Sequence, residues 1–273
     1  MNILVLGGDG FIGSHFVDQA YSDGHGVTVF DRFQYDRSNN LEHLRGKVHF
    51  FPGEFGNREN LQNALKNQDI VYHFISATTP ATSWNDPYIE IDENLRHSVL
   101  LFELAAEQGI KKIVYCSSGG TVYGRKRGLI DEESLPNPFS PYGICKLAAE
   151  YFLNYFHQRN NIAFDIYRIG NAYGPRQSMK TPQGVIAVWM GNILRDDEIF
   201  VYGDNDALRD YVYVKDVALL MTDSLNDISG SDVYNISSGH GVSILQLLDI
   251  FKSDIDKPFK HTIQPARKFD NPS

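Results

Sequence analysis

The sequence predicts an α/β fold, a doubly wound parallel sheet with a smaller C-terminal lobe. Three observations predict it. The chain opens on a short apolar run, Asn2-Ile3-Leu4-Val5-Leu6, that leads directly into glycines at 7, 10 and 13. Further short apolar runs recur down the chain and alternate with stretches of helical periodicity. The length, 273 residues, suits one large α/β domain or a first domain with a smaller lobe attached.

Composition narrows the setting. Lys plus Arg number 25 and Asp plus Glu 34, a formal charge of −9, which argues against a broad nucleic-acid or anionic-membrane surface. Every apolar run is too short to span a bilayer, and the N-terminus lacks a cleavable signal pattern, so the expectation is a soluble cytoplasmic protein. Cys116 and Cys145 are the only cysteines. They form no disulfide framework or zinc constellation and fit a reducing compartment. The nine histidines are scattered without metal-ligand spacing, and no metal is expected.

The elements follow in order. After the first strand, Gly7-Gly8-Asp9-Gly10-Phe11-Ile12-Gly13 precedes a helix expected from about Ser14 to Ser22. The glycines permit a tight turn and close approach to a pyrophosphate, and the helix start offers amides, so Gly7, Gly10, Phe11, Ile12 and Gly13 are candidate dinucleotide contacts. Gly26 to Phe30 reads as the second strand. Asp31 ends it, about 20 residues past the loop, where an acid accepts ribose hydroxyls. That carboxylate repels a 2′-phosphate and favours NAD, while Arg32 and Arg37 keep NADP as the alternative. Val48 to Phe51 is the third strand, with a helix from Arg58 to Lys66. Between them, Glu54 and Phe55 read equally as adenine contacts or as a capping acid and a core aromatic. Asp69 to Ile75 is the fourth strand. Ligand contacts are placed where it ends, at Phe74, Ile75, Ser76 and Thr78, because open parallel sheets bind ligands at their carboxyl ends.

Asn94 to Gln108 reads as a helix that is apolar on more than one face, lying deep between neighbours or against a partner subunit. The fifth strand, Lys112 to Cys116, opens into Ser117-Ser118-Gly119-Gly120-Thr121-Val122-Tyr123-Gly124. Its small hydroxyls either assist a reacting group or simply mark a serine- and glycine-rich strand exit. In Ser140-Pro141-Tyr142-Gly143-Ile144-Cys145-Lys146, Ser140 suits an N-cap and Pro141 a first helical position. Tyr142 and Lys146 then share one helix face. A phenol has a pKa of about 10, and a cation beside it favours the phenolate, so the pair can make a proton acceptor.

The glycine loop, Asp31, the Ser117 to Gly124 stretch, and Tyr142 with Lys146 occur in the order seen in the extended short-chain dehydrogenase/reductase family. Within it the chain resembles the NAD-dependent epimerase/dehydratase group, especially UDP-glucose 4-epimerases. Arg168-Ile169-Gly170-Asn171-Ala172-Tyr173-Gly174-Pro175-Arg176-Gln177 and Arg209-Asp210-Tyr211-Val212-Tyr213-Val214-Lys215-Asp216 strengthen the match. The resemblance implies a Rossmann-type domain over 1–174 and a mainly substrate-binding lobe over 175–273, with about 205–240 returning to the first domain.

It also implies roles. Tyr142 is the base, Lys146 binds the nicotinamide ribose and lowers the tyrosine pKa, and a nearby hydroxyl assists. The family's usual Ser or Thr position falls on Gly119, so Ser118, or else Thr121, substitutes. Asn94, Ser117 and Ile169 join the cofactor contacts. Asn171, Phe200, Tyr202, Arg209 and Arg267 join Thr78, Ser118 and Tyr142 around a UDP-hexose, with the arginines on the diphosphate. Dehydratases of the group place an acid just before the Val-Tyr-Gly triplet; Gly120 and Thr121 stand there instead, which disfavours that reaction. The expectation is a nucleotide-sugar 4-epimerase with bound NAD, forming a homodimer through helices 94–108 and 141–157. An NAD(P)-dependent reductase or dehydratase, and a non-catalytic dinucleotide sensor, are the alternatives. Family members usually continue for several more elements, so the resemblance implies a truncated or partly ordered chain.

Overall fold

The computed structural model describes residues 1–33, 40–126, 128–180, 183–203 and 207–265. Arg37 and Arg267, both named above, lie outside the described residues. Five apolar runs of the first half form strands β1 (Asn2–Leu6), β2 (Gly26–Asp31), β3 (His49–Pro52), β4 (Ile70–His73) and β5 (Lys112–Ser118). The second half adds β6 (Ala163–Ile169), β7 (Asn171–Tyr173), β8 (Ile199–Tyr202), β9 (Leu208–Tyr213), β10 (Asp232–Ile236), β11 (Gly241–Ser243) and β12 (His261–Gln264). Seven of these make one parallel sheet in the order β10-β6-β5-β4-β1-β2-β3. Helices cover both faces, which is why these strands read as continuous apolar runs. Ile3, Val5, Val29 and Tyr72 pack with Phe16, Val17, Val217 and Met221 on one side. Leu4, Leu6, Phe30 and Val71 pack with Leu61, Leu101, Phe102 and Leu153 on the other.

Strand order reverses between β1 and β4, the switch point at which open α/β sheets hold ligands. The glycine loop, the end of β2 and the exits of β4 and β5 therefore converge. Gly7 has φ +75°, and a Cβ on Gly13 would lie 2.3 Å from the Gly7 carbonyl oxygen. The helix starts earlier than the expected Ser14, running Phe11–Ser22 with Gly10 as N-cap. The loop's own Phe11, Ile12 and Gly13 are thus its first turn. The expected 94–108 helix also differs: it begins as a π-helical turn, Glu90–Leu95, and continues as α-helix Arg96–Glu107. Short helices Pro80–Asn85 and Pro87–Ile89 precede it, each with Pro at its start and capped by Thr79 and Asp86.

The helix Pro141–Asn160 is capped by Ser140, whose hydroxyl accepts from the Gly143 amide. One buried ion pair anchors it to the sheet. Arg168 on β6 donates to Glu150 through Nε and Nη2, at 3.2 and 2.7 Å, and Ser117 on β5 donates to the same carboxylate. Arg168 Nη1 donates to Tyr123 Oη at 2.9 Å, and that hydroxyl donates to Asn235 on β10 at 2.8 Å.

The smaller sheets lie beyond. β7, β9 and β11 form one, with β7 parallel and β11 antiparallel to β9; β8 and β12 pair in parallel. A separate core joins Trp189 and Ile193 of the helix Val185–Leu194, Ile199 and Val201 of β8, and Leu247, Leu248 and Phe251 of the helix Ile244–Asp254. No described helix is long and apolar enough to cross a membrane.

Replacing Arg168 by Met should strand the Glu150 charge in the interior and cost about 3–5 kcal/mol of stability. Denaturant unfolding of the two proteins measures it.

Candidate active site

The dinucleotide end is built from loop geometry. Gly10 caps the Phe11–Ser22 helix without a side-chain hydrogen bond, and the first turn carries no acid. Its leading amides and positive dipole end are therefore open to an anion. The missing Cβ atoms of Gly7 and Gly13 let the loop close on itself and on the Ile75 backbone, which a Cβ on Gly7 would approach to 3.0 Å. Asp31 stands beside the loop, with Oδ2 accepting from the Asp9 amide at 3.1 Å and Oδ1 from the Arg32 amide at 2.8 Å. Each oxygen keeps a further lone pair for a ribose hydroxyl. These residues fit a dinucleotide with a free 2′-hydroxyl.

Of the remaining cofactor candidates, several turn inward. Phe55 is buried against His73 and His97, so the core reading describes it. Glu54 is exposed and does not cap the next helix; Asn57 does, accepting from the Asn60 amide. Phe74 packs on Phe16, and Ile169 is buried at the end of β6. The Ser117 hydroxyl is committed to Glu150, which makes it part of the framework beneath the site.

Tyr142 and Lys146 sit one turn apart, with Lys146 Nζ 5.7 Å from the Tyr142 ring centroid. The buried ammonium donates to the Cys116 carbonyl at 2.9 Å and lies 4.9 Å from the Tyr115 ring centroid. Its reach is set by the exit of β5. The expectation that Lys146 lowers the Tyr142 pKa does not describe the balance found. Burial, with Cys116 and Glu90 nearby, pushes the phenol well above its ordinary value, and a hydrogen bond with Ser76 pulls the other way. Burial also lowers Lys146, against Cys116, Glu90 and Glu150, which raise it. Desolvation is the largest effect on each group and outweighs the pairing.

Ser76, from the exit of β4, is the hydroxyl beside the Tyr142 phenol, and its Oγ donates to the Thr78 carbonyl at 3.1 Å. Ser118, half-buried, is the N-cap of the short helix Gly119–Val122 and makes no capping bond. Thr121 Oγ1 is buried without a partner, a donor that a ligand could satisfy. Gly119 leaves no room for a side chain without adjustment, since a Cβ would stand 3.0 Å from the Arg168 carbonyl oxygen. The Tyr142 amide itself donates to Ser83 Oγ at 3.2 Å. That hydroxyl, which the sequence reading missed, ties the helix Pro80–Asn85 to the start of the Tyr142 helix.

Sequence reading also missed Glu90. It is wholly buried on the π-helical turn. Thr78 Oγ1 donates to one oxygen, and Asn94 Nδ2 donates to the other at 2.9 Å. Asn94 Nδ2 also reaches Thr78 Oγ1 at 2.9 Å, and Asn94 Oδ1 accepts from the Ala77 amide at 2.8 Å. Thr78 and Asn94, expected on ligands, therefore spend their side-chain bonds on each other and on Glu90. A buried acid beside the exposed acids Asp92 and Glu93 of the same turn carries no local signal, since only tertiary packing removes it from water.

In the lobe, Phe200 and Tyr202 are 42% and 39% exposed on β8, while the alternate Ile199 and Val201 fill the core. Their rings stand 6.5 Å apart, an open aromatic face and not core packing. Asn171 on β7 donates to the Asp210 carbonyl at 3.2 Å. Arg209 lies on β9. The Asp210 carboxylate takes bonds from the Ser238 amide, the Ser238 hydroxyl and the Gly239 amide at 2.7–2.8 Å, so it closes the turn after β10.

The model of the NAD dependent epimerase/dehydratase family matches residues 3–237. The UDP-glucose 4-epimerase of Thermus thermophilus, solved with NAD, is 30% identical with a TM-score of 0.92, over 100% of this chain and 89% of that one. The UDP-glucose 4-epimerase of Thermotoga maritima, solved with UDP-glucose, is 33% identical with a TM-score of 0.90, over 100% and 88%. The dTDP-4-dehydro-6-deoxyglucose reductase of Escherichia coli is 27% identical over 93% of this chain and 82% of its own. On the sheet, the glycine loop, the Tyr142 and Lys146 helix and these matches, the chain belongs to the NAD dependent epimerase/dehydratase family.

Proposed function

We propose that the protein is a nucleotide-sugar 4-epimerase acting on a UDP-hexose with NAD held at the glycine loop and Asp31. The observation that carries this reading is the half-buried Tyr142 one helical turn from the buried Lys146, with Ser76 beside the phenol. NAD bound there would supply a reversible hydride acceptor for the sugar 4-position. Tyr142 Oη accepts the 4-hydroxyl proton and gives it back after the 4-keto sugar has turned over. Lys146, fixed on the Cys116 carbonyl, is placed to hold the nicotinamide ribose beside the phenol. Arg209, Asn171 and the Phe200–Tyr202 face are proposed to hold the nucleotide, leaving the sugar free to rotate. A half-buried Ser118 leaves a hydroxyl for that sugar. Gly120 and Thr121 supply no acid for water elimination, which favours epimerisation over dehydration.

The likeness to a reductase supports a second reading, in which a nicotinamide cofactor is consumed with product. Proton NMR of the protein with UDP-galactose, UDP-N-acetylgalactosamine and UDP-glucuronate separates the two. Appearance of a 4-epimer without added cofactor is the expected result. Turnover only with NADH or NADPH, consumed in step with product, would replace epimerisation by reduction. Tyr142→Phe should lower kcat at least about 100-fold, because a general acid–base contributes on that order, while leaving the fold intact by circular dichroism.

Glu90 raises the proton affinity of Tyr142 and of Lys146. Glu90→Gln keeps the side-chain shape and removes that charge. The phenol then ionises more readily, and both limbs of the pH profile of kcat should move to lower pH.

We further propose a homodimer through the helices Arg96–Glu107 and Pro141–Asn160. Tyr151, Phe152 and Tyr155 on the second helix are 64, 41 and 48% exposed, and aromatic rings outside the core are enriched at subunit interfaces. Sedimentation should give twice the chain mass, and Tyr151→Glu with Phe152→Glu should give the single chain.

A further inference from the structure

The structure assigns a second coenzyme-selecting residue: we propose that Asp9, in the glycine loop, acts with Asp31 to exclude a 2′-phosphate and so makes the site selective for NAD over NADP. The inference rests on the dinucleotide reading of the loop and goes beyond it, because the acid at the end of β2 accounts for ribose binding without Asp9.

The geometry brings the two acids together. The Asp9 amide donates to Asp31 Oδ2 at 3.1 Å, so the residues are joined directly across the mouth between β1 and β2. The Asp9 side chain cannot swing out. Its Oδ1 accepts from the Asn40 amide at 2.9 Å, the Leu41 amide also donates to the carboxylate, and the Asp9 carbonyl accepts from Asn40 Nδ2 at 2.8 Å. These bonds pin a half-buried carboxylate beside a second one. Among the described residues, the opposite charge acting on Asp9 is Arg176, and its Nη2 is paired with Asp18 on the Phe11–Ser22 helix at 2.7 Å.

The electrostatics follow. Burial first, then Asp31, pushes the Asp9 carboxyl up to about 6, while the Asn40 and Leu41 amides and Arg176 pull it down. Above that pH Asp9 is an anion, and a 2′-phosphate on the adenosine ribose would meet two carboxylates. Below it, Asp9 takes a proton and one repulsion is lost. A ribose with a free 2′-hydroxyl carries no charge and is insensitive to this.

Asp9→Asn tests it. The amide oxygen keeps an acceptor for the Asn40 and Leu41 amides, so the loop anchor survives while the charge goes. Asp9→Ser is a second uncharged variant, should the first not fold. The purified protein is equilibrated with equal concentrations of NAD and NADP, desalted, and the retained dinucleotides are quantified by chromatography. At pH 8 wild type should retain NAD in large excess, and either variant should raise the retained NADP-to-NAD ratio about tenfold, the scale of one like charge near a protein surface.

From pH 8 to 5 the wild-type ratio should rise through about pH 6. The 2′-phosphate also titrates near pH 6, and His15, Asp18, Arg176 and His43 lie on the elements packed behind the loop. The variants retain all of these, so a smaller pH dependence in them isolates Asp9. Retention of NAD with a ratio within about twofold of wild type in both variants at pH 8 would overturn the proposal and leave Asp9 as a loop anchor. Failure of wild type to retain either dinucleotide would overturn the cofactor reading beneath it instead.

Discussion

The bond on which the rest of the site depends is the buried pair of Arg168 and Glu150. It joins β6 to the helix that carries Tyr142 and Lys146, and through Ser117 it binds β5 into the same network. Removing either charge leaves the other unsolvated, so the helix cannot slide along the sheet without breaking every bond in the set. Lys146 is then held where its ammonium meets the Cys116 carbonyl at the exit of β5. Ser83 secures the other end by accepting the Tyr142 amide. A proton-transfer site needs this fixity, because its groups act only within hydrogen-bond reach.

Fixity is obtained by burial, and burial opposes ionisation. Tyr142 is pushed up and Lys146 pulled down by the same dry surroundings, with Glu90 raising both. The π-helical turn that places Glu90 inside also absorbs Thr78 and Asn94 into one hydrogen-bonded cluster. The tyrosine and lysine pair is therefore set by what surrounds it more than by its own spacing. At the opposite end of the cleft, Asp9 and Asp31 show the same logic, since a neighbouring acid and burial decide the charge of the loop carboxylate.

Much of the fold was legible because its signals are local. Asn2 to Leu6, Gly26 to Phe30 and the other buried strands are continuous apolar runs, and parallel strands covered on both faces must be. The glycines at 7 and 13 are demanded by a positive φ and by a backbone oxygen 2.3 Å from where a Cβ would stand. Ser140 and Pro141 mark the start of the Tyr142 helix for reasons contained in those two residues. The boundaries misread were those set by packing: the first helix begins three residues early, and the Asn94 helix begins as a π-helical turn. Pairing of β9 with β7 and β11 has no counterpart in local pattern.

By itself the sequence determined the α/β class, the glycine loop with its acid at Asp31, and the helix that puts a phenol and an ammonium on one face. Each follows from periodicity, backbone sterics or a cap, which act over a few residues. Tertiary structure alone decided that Ser76 meets Tyr142, that Ser117, Thr78 and Asn94 turn to buried acids, that Phe200 and Tyr202 face outward, and that Asp9 lies against Asp31. Those outcomes depend on which chain segments, distant in sequence, exclude water from each other.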